Sequence, residues 1–309
     1  MFTRTMRRVA PAAAALGLGA LVLTGCAGGG DPLDPGTGGD DAGTITIGNQ
    51  AFPESELLAQ IYGQYLEANG YEVAYEAGIG SRETFITALQ DGSIDLIPDY
   101  AGNALIYANP DAEETSAEDV EAALPAALEP LGLAVTAAAP GEDSDALVVT
   151  REFASANGLE TIGDLAPIAA SVTLGANTEF EPRWRDGLAE VYGFEGWAFK
   201  AIDDYGGPGT LADLLADAIQ VADIYTTTPS IAANDLVVLE DDLDLFAAQN
   251  IIPLLRADVL TPELEGLLDA VSAKITTEVL LELNAEMASD AKPSAASVAA
   301  GWLASVGLL

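Results

Sequence analysis

Asp91-Gly92-Ser93-Ile94-Asp95-Leu96-Ile97-Pro98-Asp99-Tyr100-Ala101-Gly102-Asn103-Ala104-Leu105-Ile106-Tyr107 is the stretch on which the fold turns. Ile94, Leu96 and Ile97 make an apolar run too short for a helix and flanked by turn formers, which suits a buried strand. Pro98 has no N–H to donate and is expected to end the ladder. Asp99 and Tyr100 then stand at the mouth of the strand, and Gly102 lets other groups come close to the backbone. Ligands of open α/β sheets bind outside the carboxyl ends of strands. Tyr100 is therefore either a ligand contact or a tyrosine that only packs in a strand–helix corner.

Outward from this stretch the pattern alternates. Upstream, a strand over Thr44–Gly48 precedes a helix over Glu54–Asn69, with Leu57, Leu58, Ile61, Tyr65 and Leu66 at helical spacing and Gly70 where a C-cap glycine belongs. A strand over Tyr71–Ala77 and a helix over Arg82–Gln90 follow. Downstream, a helix over Ala117–Leu131 and a strand over Ala134–Ala139 complete a first unit with a parallel sheet. After a strand at Ala146–Val149 the alternation restarts, with a strand at Ser171–Gly175 and a loop carrying Glu179, Phe180 and Arg183. A helix runs through Leu188 and Val191, a second helix covers Thr210–Ala218, and a strand at Ile219–Ile224 ends in Tyr225-Thr226-Thr227-Thr228. Leu236–Leu239 and Ile251–Leu255 read as strands, the latter as a return crossing, and helices over Pro262–Ile275, Thr277–Met287 and Ala295–Ser305 close the chain. Two lobes joined by two crossings and two sequential domains both fit this pattern.

The first 25 residues read as a leader: Arg4, Arg7 and Arg8, then an apolar run over Val9–Leu23 too short to span a bilayer comfortably. Leu23-Thr24-Gly25-Cys26 resembles a bacterial lipobox, which makes Cys26 the lipid anchor of a protein held on the outer face of the cell membrane. Residues 26–43, rich in Gly, Asp and Pro, read as a flexible tether. Cys26 is the sole cysteine, so no disulfide framework exists. The formal charge is −38, and loss of the three leader arginines takes it to −41. Such a surface repels nucleic acid and anionic lipid. The chain has no histidine, which removes the Ser-His-Asp and Cys-His nucleophile systems and the usual zinc sets. No phosphate-binding loop ending in Gly-Lys-Ser/Thr is present. No cofactor or metal is called for, and the chain leans away from catalysis.

Several stretches together resemble the substrate-binding proteins of osmoprotectant ABC transporters, the glycine betaine/choline/carnitine group. They are Gly48-Asn49-Gln50-Ala51-Phe52-Pro53-Glu54, Gly92 to Gly102, Gly163-Asp164-Leu165-Ala166-Pro167, Glu179-Phe180 with Arg183 and Asp186-Gly187-Leu188, Asp223-Ile224-Tyr225-Thr226-Thr227, Asp235 to Asp242, and the Lys274-Ile275-Thr276 region. Each is weak alone; the ordered set spans nearly the whole chain after the leader. The resemblance implies an α/β, two-lobed clamshell of the type II periplasmic-binding-protein kind, each lobe a mixed sheet flanked by helices. Lobe 1 takes residues 44–149 and 250–309 and lobe 2 takes 150–249, with a hinge at the two crossings.

It also implies a binding role without catalysis, a small quaternary-ammonium ligand, and the permease and ATPase subunits of an importer as partners. Tyr100 and Tyr225 match cage tyrosines of the family, one per lobe, and Arg183 matches an arginine that grips a betaine carboxylate. The chain departs from the family at Gln50, where some members carry lysine, and at Asp145, where an aromatic is frequent. Asp145 could pair with the ammonium or be solvated. Tyr205 is a candidate for a further cage ring, and Thr226 to Thr228 are candidate hydroxyl contacts or a polar turn. With fewer aromatics and more acid, the cargo could be choline or another quaternary amine. A receptor for another small cation or amino acid, a surface hydrolase and a sensory lipoprotein are the rival readings.

Overall fold

The computed structural model describes residues 43–309; the leader, Cys26 and the tether lie outside the described residues. The first lobe opens with β1 (Ile45–Gly48), α1 (Pro53–Ala68), β2 (Val73–Glu76), α2 (Arg82–Asp91) and β3 (Leu96–Tyr100). It continues with α3 (Ala101–Ala108), α4 (Ala117–Leu128) and β4 (Leu133–Val135). The second lobe holds β5 (Leu147–Thr150), α5 (Arg151–Asn157), β6 (Thr173–Ala176), α6 (Phe180–Tyr192), β7 (Ala198–Ala201), α7 (Pro208–Leu215), β8 (Val221–Asp223), α8 (Ser230–Ala233) and β9 (Leu236–Val238). The chain then returns to the first lobe as β10 (Ile251–Arg256), α9 (Pro262–Ser272), α10 (Thr277–Ala288) and α11 (Ala295–Ser305).

Each lobe carries a mixed five-stranded sheet, in the order β2-β1-β3-β10-β4 and β7-β6-β8-β5-β9. In each, three neighbouring strands run parallel and a strand from elsewhere in the chain enters antiparallel. α1 buries Leu57, Leu58, Ile61 and Leu66 against α9 and α11, where Leu264, Leu268, Val298 and Leu303 close the core. The second lobe packs Leu165, Phe180, Trp184, Leu188 and Phe194 around β6.

Pro98 does not end its strand. It sits mid-way along β3 opposite Pro253 of β10. A pair in which neither residue has an N–H must be one that exchanges no ladder bonds, and antiparallel sheets contain such positions at every second pair. The missing donors face β1 and β4 at the ends of those strands, where registered pairing has stopped. The strand therefore extends to Tyr100, which is also the residue that starts α3.

β5 pairs with β8 and β9 and so belongs wholly to the second sheet, and β10 wholly to the first. The crossings themselves lie just outside these strands and run side by side. Asp143 donates its N–H to the Gln249 carbonyl at 3.1 Å, Ile251 donates to Gly141 at 3.1 Å, and Glu142 bridges Asn250. Arg183, expected in a loop, lies in the first turn of α6, and β7, α3, α5 and α8 are additional to the elements read from the sequence. Among the described residues no helix is long and apolar enough to cross a membrane.

Candidate functional site

The carboxyl ends of the strands from both sheets face a common cleft. Tyr100 is held there as the last residue of β3. Asn177, just after β6, caps the start of α6: its Oδ1 accepts the N–H groups of Glu179 at 3.0 Å and Phe180 at 3.1 Å. That capping points Glu179 into the cleft. Tyr225 follows β8, and the Asn177 amide reaches its hydroxyl at 3.4 Å. Tyr205 has a left-handed backbone, φ 53°, uncommon for a bulky residue. The turn is enforced by Asp204, whose carboxylate accepts the N–H groups of Gly207, Gly209 and Thr210 and the Thr210 hydroxyl. Strain of this kind persists where the surroundings over-determine the residue.

The result is a small cavity with about 30 Å³ of free space. It is lined by Gln50, Phe52, Arg82, Tyr100, Asn103, Asp143, Asp145, Asn177, Glu179, Arg183, Tyr205 and Tyr225. Phe52 occupies its centre. Its ring centroid lies 6.2 Å from that of Tyr100, 5.6 Å from Tyr205 and 5.8 Å from Tyr225. Tyr100 is buried, and burial followed by the charge of Glu54 pushes its phenol well above the usual range. Burial, then Asp145, does the same for Tyr225. Both rings are therefore neutral phenols.

The charges are arranged in pairs. Arg82, buried, forks onto Asp99 with Nη2–Oδ1 at 2.6 Å and Nε–Oδ2 at 3.2 Å. Arg183 Nη2 donates to both oxygens of Asp145 at 3.1 Å, and Trp184 Nε1 reaches Oδ2 at 3.2 Å. Asp223 lies behind this pair; burial, then the charge of Asp145, raises it well above the ordinary carboxylate range. Asp143 is raised the same way, by burial and then by Glu54, while accepting from the Thr227 N–H and the Thr226 hydroxyl. With both guanidinium groups matched by Asp99 and Asp145, Glu179 is a lining carboxylate without a hydrogen-bonded cation. Burial raises it and Arg82 pulls the other way. Two buried polar atoms at the cavity have no partner, Arg183 Nε and Asn103 Oδ1. They offer one donor and one acceptor to a guest.

Of the residues singled out from the sequence, Tyr100, Tyr225, Tyr205, Arg183, Gln50 and Asp145 line this one cavity. Thr226 does not: its hydroxyl is turned inward, donating to Asp143 at 3.1 Å and accepting from the Ser144 N–H at 3.0 Å. Asp145 meets Arg183 rather than standing free. Gly102 does allow a close approach, but by the chain itself, since a Cβ there would stand 2.8 Å from the Ala248 carbonyl oxygen. Phe52, Arg82, Asn103, Asp143, Asn177 and Glu179 were missed as lining residues. The signal for Phe52 was present, an aromatic directly before a proline that starts a helix at the edge of the sheet. Among the described residues no group of three or more His, Cys, Asp or Glu could hold a metal ion.

Two mixed sheets with strand ends meeting over a ring-lined cleft, spanned by two antiparallel crossings, define a solute-binding protein of the type II periplasmic kind. The chain belongs to the OpuAC family, the substrate-binding domain of ABC-type glycine betaine transport systems, which matches residues 43–305. The family is one of binding components, not enzymes. The chain is 28% identical over 261 residues to the glycine-betaine-binding protein of Pseudomonas aeruginosa, covering 80% of this chain and 83% of that one. It is 27% identical over 271 residues to the carnitine transport binding protein OpuCC of Listeria monocytogenes, covering 82% and 83%. In fold it resembles a crystal structure of a glycine betaine/carnitine/choline ABC transporter, with TM-score 0.68 at 24% identity, covering 85% of this chain and 99% of that one.

Proposed function

We propose that this chain captures a quaternary-ammonium osmolyte between its lobes and delivers it to the permease of an ABC importer driven by a separate ATPase. The observation that carries the reading is the convergence of Phe52 and Tyr100 from one lobe with Tyr205 and Tyr225 from the other. A quaternary ammonium has no conventional N–H to donate and spreads its charge, so it is held by ring faces, each worth about 0.5–2 kcal/mol. Glu179 adds a carboxylate beside the rings. A ligand touching rings of both lobes favours the closed form, because it meets both only there. Parting of the lobes about the paired crossings at 141–143 and 249–251 admits it. The relatives named for glycine betaine and carnitine agree with this cargo class. Attachment to the membrane rests on Cys26 as a lipidated anchor, and no nucleic acid is a partner.

A second reading concerns which quaternary amine. Arg183 is already neutralised by Asp145, so the cleft offers a carboxylate-bearing zwitterion polar donors but no spare positive charge. That favours a plain cation such as choline over glycine betaine.

Titration calorimetry with glycine betaine, choline, carnitine, proline betaine and ectoine tests both. At least one quaternary amine binds, choline more tightly than glycine betaine, and Tyr100→Ala and Tyr225→Ala each lose about 1 kcal/mol or more. Wild-type affinity in both variants would remove the cage. Tighter binding of glycine betaine would remove the second reading alone.

A further inference from the structure

Glu54, in the first turn of α1, is buried beneath the cleft and does not line it. Its Oε1 accepts the Tyr100 hydroxyl at 2.8 Å. Its Oε2 accepts the Thr227 hydroxyl at 2.6 Å and the Asn284 side-chain amide at 2.5 Å. Asn284 also reaches Thr227 Oγ1 at 3.1 Å. Every partner can donate, so an ionised carboxylate satisfies all three at once, whereas a glutamine would turn an N–H toward Tyr100 and force its hydroxyl to accept instead. Tyr100 and Asn284 belong to the first lobe and Thr227 to the second, two residues beyond Tyr225. The Thr227 N–H is in turn held by Asp143 of the crossing at 2.9 Å. One side chain thus touches both lobes and, through them, the segments that carry two of the three tyrosines.

From these contacts we infer that Glu54 is a positioning residue, a clasp that aligns Tyr100 and the 225–227 segment with each other only when the lobes are shut. The inference rests on the cage reading above. Its content is that shutting the lobes and shaping the cage are a single event, because the same carboxylate serves both. A site lacking such a clasp could shut without aligning its rings. The start of α1 suits the charge, since a helix N-terminus favours an anion.

The test uses the whole chain with Thr227→Val, which keeps shape and loses the hydroxyl, Thr227→Ser, which keeps the hydroxyl, Glu54→Gln, and the double variant Glu54→Gln/Thr227→Val. Choline and glycine betaine affinities are measured by calorimetry, and the radius of gyration of the ligand-free protein by small-angle scattering. Thr227→Val and Glu54→Gln are each expected to weaken binding about tenfold and to enlarge the ligand-free protein, Thr227→Ser to match wild type, and the double variant to lose no more than one single variant. The inference is overturned if Thr227→Val binds within twofold of wild type at unchanged radius, or if the two losses multiply. Should wild type bind no quaternary amine, the cargo reading fails, and the scattering series alone decides whether the clasp stands. Glu54→Gln could unfold the lobe, which the thermal midpoint would reveal; the Thr227 pair then decides.

Discussion

Arg82 and Asp99 are buried as a forked pair beside the cleft. Breaking such a pair costs far more than the pair contributes, because one charge is left uncompensated. Asp99→Ala is expected to destabilise the protein by about 3 kcal/mol or more, roughly 6 °C in thermal midpoint for a chain of this size. Asp143 makes a separate prediction. Its folded value is raised above the ordinary aspartate range by burial and by Glu54. A group raised on folding contributes its stability below its unfolded value, about 3.9, and loses it as pH climbs through the folded one. Asp223 has the same sign. Thermal midpoints measured from about pH 4 upward should therefore fall less steeply in Asp143→Asn, which keeps Oδ1 as acceptor and never charges. An unchanged slope would mean that Asp143 does not titrate as described. At this scale Tyr100 and Tyr225 were legible because each lies next to a recognisable strand end, whereas Arg183, expected in a loop, was singled out only by the family resemblance. Asp143 and Asp145 stand in one acidic turn, and nothing local distinguishes the acid whose pKa is raised from the acid that meets an arginine. That difference arises from burial beside Glu54 and from Arg183, which are set by residues distant in sequence.

Among the elements, the strand at 96–100 decides how the cleft is built. The apolar run announced it, but its end was misjudged, because the effect of a proline depends on the partner across the ladder and Pro253 lies far along the chain. Gly102, the second residue of α3, is where the 247–248 segment crosses the helix. Its N–H donates to the Ala248 carbonyl at 3.0 Å. Gly102→Val would drive a branched side chain into that carbonyl and into Ala247. Overpacking of this kind costs about 1–3 kcal/mol, and since α3 starts at Tyr100 the ligand affinity should fall along with the thermal midpoint. A variant as stable as wild type would show that the crossing yields freely. The short strand β7 and the helix α5 escaped notice because they are brief. β7 is an edge strand with three of its four residues exposed, so it leaves little apolar pattern.

For the molecule as a whole, the alternation of strands and helices was legible, and so was the pairing of two similar units. The antiparallel insertion of β5 and β10 was not, since β5 meets β8 at Leu147–Asp223 and β10 meets β3 at Ile251–Tyr100, pairs that lie far apart in the chain. The acidic surface gives one prediction at this scale. A formal charge of −38 repels itself, and the Debye length shrinks to about 3 Å in 1 M salt. Raising sodium chloride from about 0.05 to about 1 M should therefore raise the thermal midpoint. A flat or falling midpoint would mean that ion pairs such as Arg151–Asp235 outweigh the repulsion.

The position of β10 has a consequence for the order in which the protein can be made. Emerging from the ribosome, the early lobe has β4 ready but nothing to join it to β3, since the connecting strand is encoded some 115 residues later. The later lobe has every strand in hand once Val238 has appeared. Nascent chains are thus predisposed to mature back to front, with the inner segment acquiring its shape while the portion that leads it waits for the tail.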